Sequence, residues 1–141
     1  MSPFPAIRAT LVCDAIRAEV AGKTTILGLY GACPDVEITI RDPTLPVDQL
    51  AFLVMAGQSP ANATYNVEVQ IVAPDGSPLA AVKNETFEAQ AGKGIHLGVG
   101  GAGFPLKGEG TYTLVVTVDG VKLAPQSFRI RKGVVTTTTT T

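Results

Sequence analysis

Between Thr64 and Ala73 apolar and polar side chains alternate one for one, with Tyr65, Val67, Val69 and Ile71 set against Asn66, Glu68 and Gln70. A period of two is the signature of a strand with one buried and one wet face. No window of the chain shows a sustained helical period. The alternation returns at Tyr112, Leu114, Val116 and Val118, interleaved with threonines, and Asp119-Gly120 follows before Val121. Asp-Gly between alternating runs is the strongest short hairpin signal.

Other segments rich in Val, Ile, Thr and Tyr run over 7–18, 24–31, 36–40, 49–57, 79–87, 121–131 and, more weakly, 94–99. Turn residues separate them; Pro74-Asp75-Gly76-Ser77-Pro78 is the clearest, because Gly supplies positive φ and Pro fixes its own. Strands spaced roughly 8–12 residues apart predict an all-β fold, a two-sheet β-sandwich of eight or nine strands. Pro125 cannot donate to a ladder, which points the segment 121–131 to a sheet edge or a bulge. A chain of 141 residues has room for one such domain, expected over 1–133, with 134–141 a threonine-rich tail.

Charge is sparse. Only 16% of residues are charged and the net charge is −1, against a usual ~25% charged. That balance predicts no nucleic-acid or anionic-membrane partner. The thin charge leaves on the order of one charged side chain per 300 Å² of surface, near the size at which an uncharged patch invites association. The first residues, Met1-Ser2-Pro3-Phe4-Pro5, reach Arg8 before any apolar run, unlike a secretion signal. The expected location is cytoplasmic at synthesis, with incorporation into a virion left open.

Two cysteines are present, Cys13 and Cys33. A hairpin turning at Ala21-Gly22 pairs positions that sum to 43, placing Cys13 opposite Tyr30 and Cys33 opposite Thr10. That separates them by about 10 Å along the strands, beyond the ~7 Å Cα spacing a bridge allows. No disulfide is expected.

Around Tyr112, the run Gly108-Glu109-Gly110-Thr111-Tyr112-Thr113-Leu114 resembles the entry to strand F of immunoglobulin-like domains. In those domains a tyrosine bonds back to the backbone at a corner. The absence of Trp and of Cys at position 114 departs from antibody domains. The front of the chain, Leu11-Val12-Cys13-Asp14-Ala15-Ile16-Arg17-Ala18-Glu19, then Gly22-Lys23, then Ile26-Leu27-Gly28-Leu29-Tyr30-Gly31, resembles an uncharacterised bacterial family, a domain of unknown function. That resemblance implies bacterial or phage origin and a β fold, and no activity.

Motifs with apparent chemistry dissolve on inspection. Gly22-Lys23-Thr24 lacks the upstream glycine and following helix of a phosphate loop. Gly98-Val99-Gly100-Gly101-Ala102-Gly103 fits a dinucleotide pattern, but Phe104-Pro105-Leu106 follows where a helix is required, so a flexible Gly-rich loop is expected across 98–103. His96 is the only histidine and reads as a loop residue. Asp35, Glu37, Asp42 and Asp48 flank a proline-rich loop in no metal-binding spacing. Asn62-Ala63-Thr64 and Asn84-Glu85-Thr86 match glycosylation sequons by chance. No catalytic, cofactor-binding or metal residue is expected, and no cofactor.

Gln49–Gly57 carries the functional weight. Leu50, Phe52 and Val54 share one face, yet Ala51, Leu53 and Met55 on the other are also apolar, so a two-layer sandwich would bury one set and expose the other. Cover by the chain's own loops and cover by a partner are both open. The expectation is a non-enzymatic structural or interaction subunit of a larger assembly, such as a phage virion or decoration component. Its partners would be proteins or copies of itself, making an oligomer. The expected contacts are Leu53 and Met55, together with Val134, Val135, Thr136 and Thr137, whose backbone suits pairing along a sheet edge. A ligand- or carbohydrate-binding module is the alternative.

Overall fold

The computed structural model describes residues 4–20 and 23–133. It contains ten strands and no α-helix among those residues: β1 (Ile7–Ala18), β2 (Thr24–Ala32), β3 (Glu37–Ile40), β4 (Val47–Gln58), β5 (Ala63–Val72), β6 (Pro78–Ala89), β7 (Gly94–Phe104), β8 (Gly110–Val118), β9 (Val121–Lys122) and β10 (Gln126–Lys132). One sheet has the order β2-β1-β4-β7; the other runs β3-β10-β8-β5-β6, with β9 paired to β8. The fold is the expected all-β two-sheet sandwich, with more strands than the eight or nine read from the sequence.

The extra strand comes from Pro125. Val121–Arg131 divides into β9 and β10, with the proline between them, so no ladder is asked for its missing N–H. β10 is consequently not at an edge: it lies between β8, antiparallel, and β3, parallel. The edge expected from Pro125 is corrected on this point. Asp119 and Gly120 turn β8 into β9 with φ of 48° and 82°, the positive pair a type I′ hairpin turn demands. The Asp119 carboxylate accepts from the Asn66 N–H at 2.8 Å, tying the turn to β5.

Alternate residues of β4, β5 and β8 meet between the sheets. Phe52 and Phe128 rings lie 5.0 Å apart, and Tyr112 stacks on Phe128 at 5.5 Å, geometries that add to simple area burial. Leu50, Val54, Val69, Ile71, Leu114 and Val116 complete the centre of this core. At its rim the Tyr112 hydroxyl donates to the Gly108 carbonyl at 2.7 Å and accepts from the Lys107 N–H at 2.8 Å.

The β1–β2 register follows the predicted sum of 43 at Leu11↔Ala32 and Val12↔Gly31, then shifts by one at a bulge between Val12 and Cys13. Cys13 therefore faces Leu29 and not Tyr30, because a bulge inserts one unpaired residue on one strand. The Cys33 N–H bonds to the Thr10 carbonyl at 2.8 Å, and the two thiols are not joined. Ala21-Gly22, the expected turn, lies outside the described residues.

Candidate functional site

β1 pairs with β4 only from Ile7 to Cys13, where Cys13 meets Ala51. Past the bulge β1 stays bonded to β2 but leaves β4, and the two-stranded ribbon lies across the outer face of its own sheet. Two contacts fix it there. The Ile16 side chain comes within 3.6 Å of where a Cβ on Gly98 would stand, and Thr24 Oγ1 sits 3.3 Å from His96 Nδ1 on β7. A threonine hydroxyl both donates and accepts, so this contact suits either tautomer of the ring.

The ribbon changes the status of β4's outer residues. Ala51 and Leu53 are only 5% and 2% exposed, although they point away from the core formed by Leu50, Phe52 and Val54. Exposure of that set is corrected: the chain's own hairpin covers it, and Leu53 is not a free contact surface. Met55, opposite His96, is half-buried. Val134, Val135, Thr136 and Thr137 lie outside the described residues, which reach Gly133, whose N–H bonds to the Ile40 carbonyl.

Between ribbon and sheet is a cleft of about 400 Å³, with Asp14, Ile16, Thr24, Gln49, Leu53 and His96 on its walls and Gly98 and Gly100 in its floor. The expected Gly-rich loop is corrected too, since β7 runs to Phe104 and pairs with β4 almost throughout. At Gly100, φ is +132° and a Cβ would stand 2.4 Å from the Leu50 carbonyl oxygen. Only glycine lets the two backbones approach this closely.

Asp14 is held at the cleft's side by β2. Its carboxylate lies near enough to the Tyr30 hydroxyl to act on it. Burial first, then the polar influence and charge of that carboxylate, push the Tyr30 phenol up to about 12. Gly28 makes the approach feasible, with φ of +64° and no Cβ where the Asp14 carboxylate lies. Next to it, burial raises the Cys13 thiol pKa, with the Asp14 charge adding to the effect. Burial pushes Cys33 up to about 11. Both thiols are poor nucleophiles, since the thiolate is the reactive form.

The acidic residues around 35–48 do not converge. Glu37 pairs with Arg131 at 3.5 Å and Arg129 at 3.9 Å, whereas Asp42 caps its own turn through the Thr44 hydroxyl and N–H, which hold its carboxyl below the usual range. Among the described residues no group of three His, Cys, Asp or Glu side chains is placed to hold a metal ion. No helix among them is long and apolar enough to cross a membrane. His96 sits on a strand in the cleft and not in a loop. Sequence reading missed Asp14, Ile16, Thr24 and Gln49 as site residues. The available signal was Gly98 and Gly100, alternate glycines on one strand face, which mark a close approach.

Residues 8–131 match the model of a Family of unknown function (DUF6941). No curated protein matches the chain. Among solved structures, the Pseudomonas fluorescens alkylpurine DNA glycosylase AlkC bound to DNA containing an abasic site analog is similar at 21% identity and a TM-score of 0.46, over 70% of this chain and 28% of that one. The chain thus spans under a third of that enzyme. The exclusion of nucleic acid from the partner set is corrected on its own premise, because a net charge of −1 averages over the surface and does not decide its local fields.

Proposed function

The chain belongs to a family of unknown function, and from its geometry we propose that it is a non-enzymatic interaction module that recognises a ligand in the cleft beneath the β1–β2 ribbon. The observation that carries this is the departure of β1 from β4 after Cys13. A continuous sheet would have no such space; here the ribbon and the glycine floor border an open cleft of about 400 Å³, within the range of about 300–1,000 Å³ usual for small-molecule sites. Apolar walls with a few convergent polar groups are the ordinary composition of such a site. The Tyr112 corner is read as an immunoglobulin-like feature that stiffens the opposite sheet and takes no part in recognition.

A ligand screen followed by backbone amide NMR tests the reading. Compounds that bind should move the Ile16, Thr24 and Gly98 signals, and Gly98→Val, which fills the floor, should abolish those shifts. Binding that leaves these signals unmoved, or that survives Gly98→Val, would overturn it.

The structural-subunit reading, a virion component included, keeps one specific support. Leu27, Leu29 and Tyr30 on edge strand β2 are 47%, 60% and 46% exposed, a run of apolar surface that an assembly would cover. Solution mass across a range of concentrations tests it: a strict monomer leaves β2 without that role.

A further inference from the structure

We propose that the cleft takes a small organic cation, a primary ammonium group on an apolar body, with Asp14 as its counter-charge; this rests on reading the cleft as the recognition site. Among the described residues lining the cleft, Asp14 is the one carboxylate and there is no Lys or Arg. The ion pairs among the described residues join Arg17 to Glu19, and Arg129 and Arg131 to Glu37, so none neutralises Asp14. The side chain that acts on it from β2, the Tyr30 phenol, is neutral. A carboxylate has about four lone-pair sites, so it can accept several donated bonds.

The rest of the lining selects among ligands. An anion would meet like charge and no cation. A quaternary ammonium ion is ordinarily held by a cage of aromatic faces, and no Phe, Tyr or Trp is among the described lining. A primary ammonium has three N–H donors. Asp14, the Gln49 side-chain oxygen and the Thr24 hydroxyl supply three kinds of acceptor on the same walls, while Ile16, Leu53 and Val99 supply apolar surface for a short alkyl body.

The test titrates the full chain with three probes of equal length, hexylamine, hexanol and hexanoate, near neutral pH and at low salt, following amide signals and heats of binding. Hexylamine should bind about tenfold more tightly than hexanol, the margin a charged hydrogen bond holds over a neutral one, and hexanoate should not bind. Asp14→Asn should reduce hexylamine to the level of hexanol. Equal binding of hexylamine and hexanol at the cleft, or a preference that survives Asp14→Asn in a folded variant, overturns the cation proposal and leaves the cleft reading intact. If all three probes leave the Ile16, Thr24 and Gly98 signals unmoved, both fail. Because the wild-type comparison needs no variant, an unfolded Asp14→Asn would not blunt the test.

Discussion

The hydroxyl of Tyr112 reaches back four residues to the carbonyl of Gly108, at 2.7 Å, and in the same place accepts the N–H of Lys107. Tyr112→Phe keeps the ring on Phe128 but removes both bonds. The expected cost is about 1–3 kcal/mol, because two backbone groups at the rim of the core lose their partner. A urea titration that shows a lower midpoint at unchanged slope would register it; an unchanged midpoint would show that water replaces the hydroxyl fully.

Leu53 is the residue on which loop cover and exposure make opposite forecasts. At 2% exposed, Leu53→Ala should cost about 2–5 kcal/mol, the range for buried leucines. An exposed leucine would cost a small fraction of that. Thermal unfolding of the variant distinguishes them.

Two glycines of β7 should respond differently to alanine. Gly100→Ala places a Cβ on the backbone of Leu50 and Ala51 at a φ of +132°, and should destabilise by about 1–3 kcal/mol. Gly98→Ala meets only Ile16 at 3.6 Å, ordinary contact distance, and should be tolerated. Chemical denaturation of both variants side by side checks the contrast.

Thr10 is fully buried and its hydroxyl has no hydrogen-bond partner among the described atoms. Thr10→Val replaces it with a methyl group of similar size, and should raise stability by about 1 kcal/mol, since a buried hydroxyl without a partner is a net loss. A fall in melting temperature would mean that the hydroxyl is satisfied in solution.

High pH should weaken the fold in a defined window. The Tyr30 phenol is raised from an ordinary 10 to about 12, by burial and then by Asp14. Above pH 10 the unfolded chain releases this proton while the folded chain keeps it, so stability falls as pH rises. The contribution is whole below pH 10 and lost by about pH 12. Cys33, raised from 9 to about 11, acts in the same sense one step earlier. Tyr30→Phe should flatten the upper part of that decline in pH-dependent denaturation.

Local pattern was enough to place most strands. Tyr65 to Ile71 and Tyr112 to Val118 announce their inward faces because side chains on a strand alternate strictly, whatever lies across the sheet. Asp119-Gly120 specifies its own turn through dihedrals that few other pairs adopt. The separation of Cys13 from Cys33 also followed from counting, with the bulge moving Cys13 by a single partner.

The site was not open to the same reading. Gly98-to-Gly103 contains no alternation, so its strand exists only because β4 offers a ladder along its length. The all-apolar β4 left two covers open, and nothing local to it says that the far end of β1 and the start of β2 fold over it. The sequence by itself determined most of the strands, their faces and the Asp119-Gly120 turn, all set by neighbours a few positions apart. Only the tertiary structure decided where β1 leaves β4, what covers Leu53, and that Asp14, Thr24, Gln49 and His96 share one cleft, because these depend on contacts such as Thr24 with His96, 72 residues apart, whose energies are settled by packing and not by local preference.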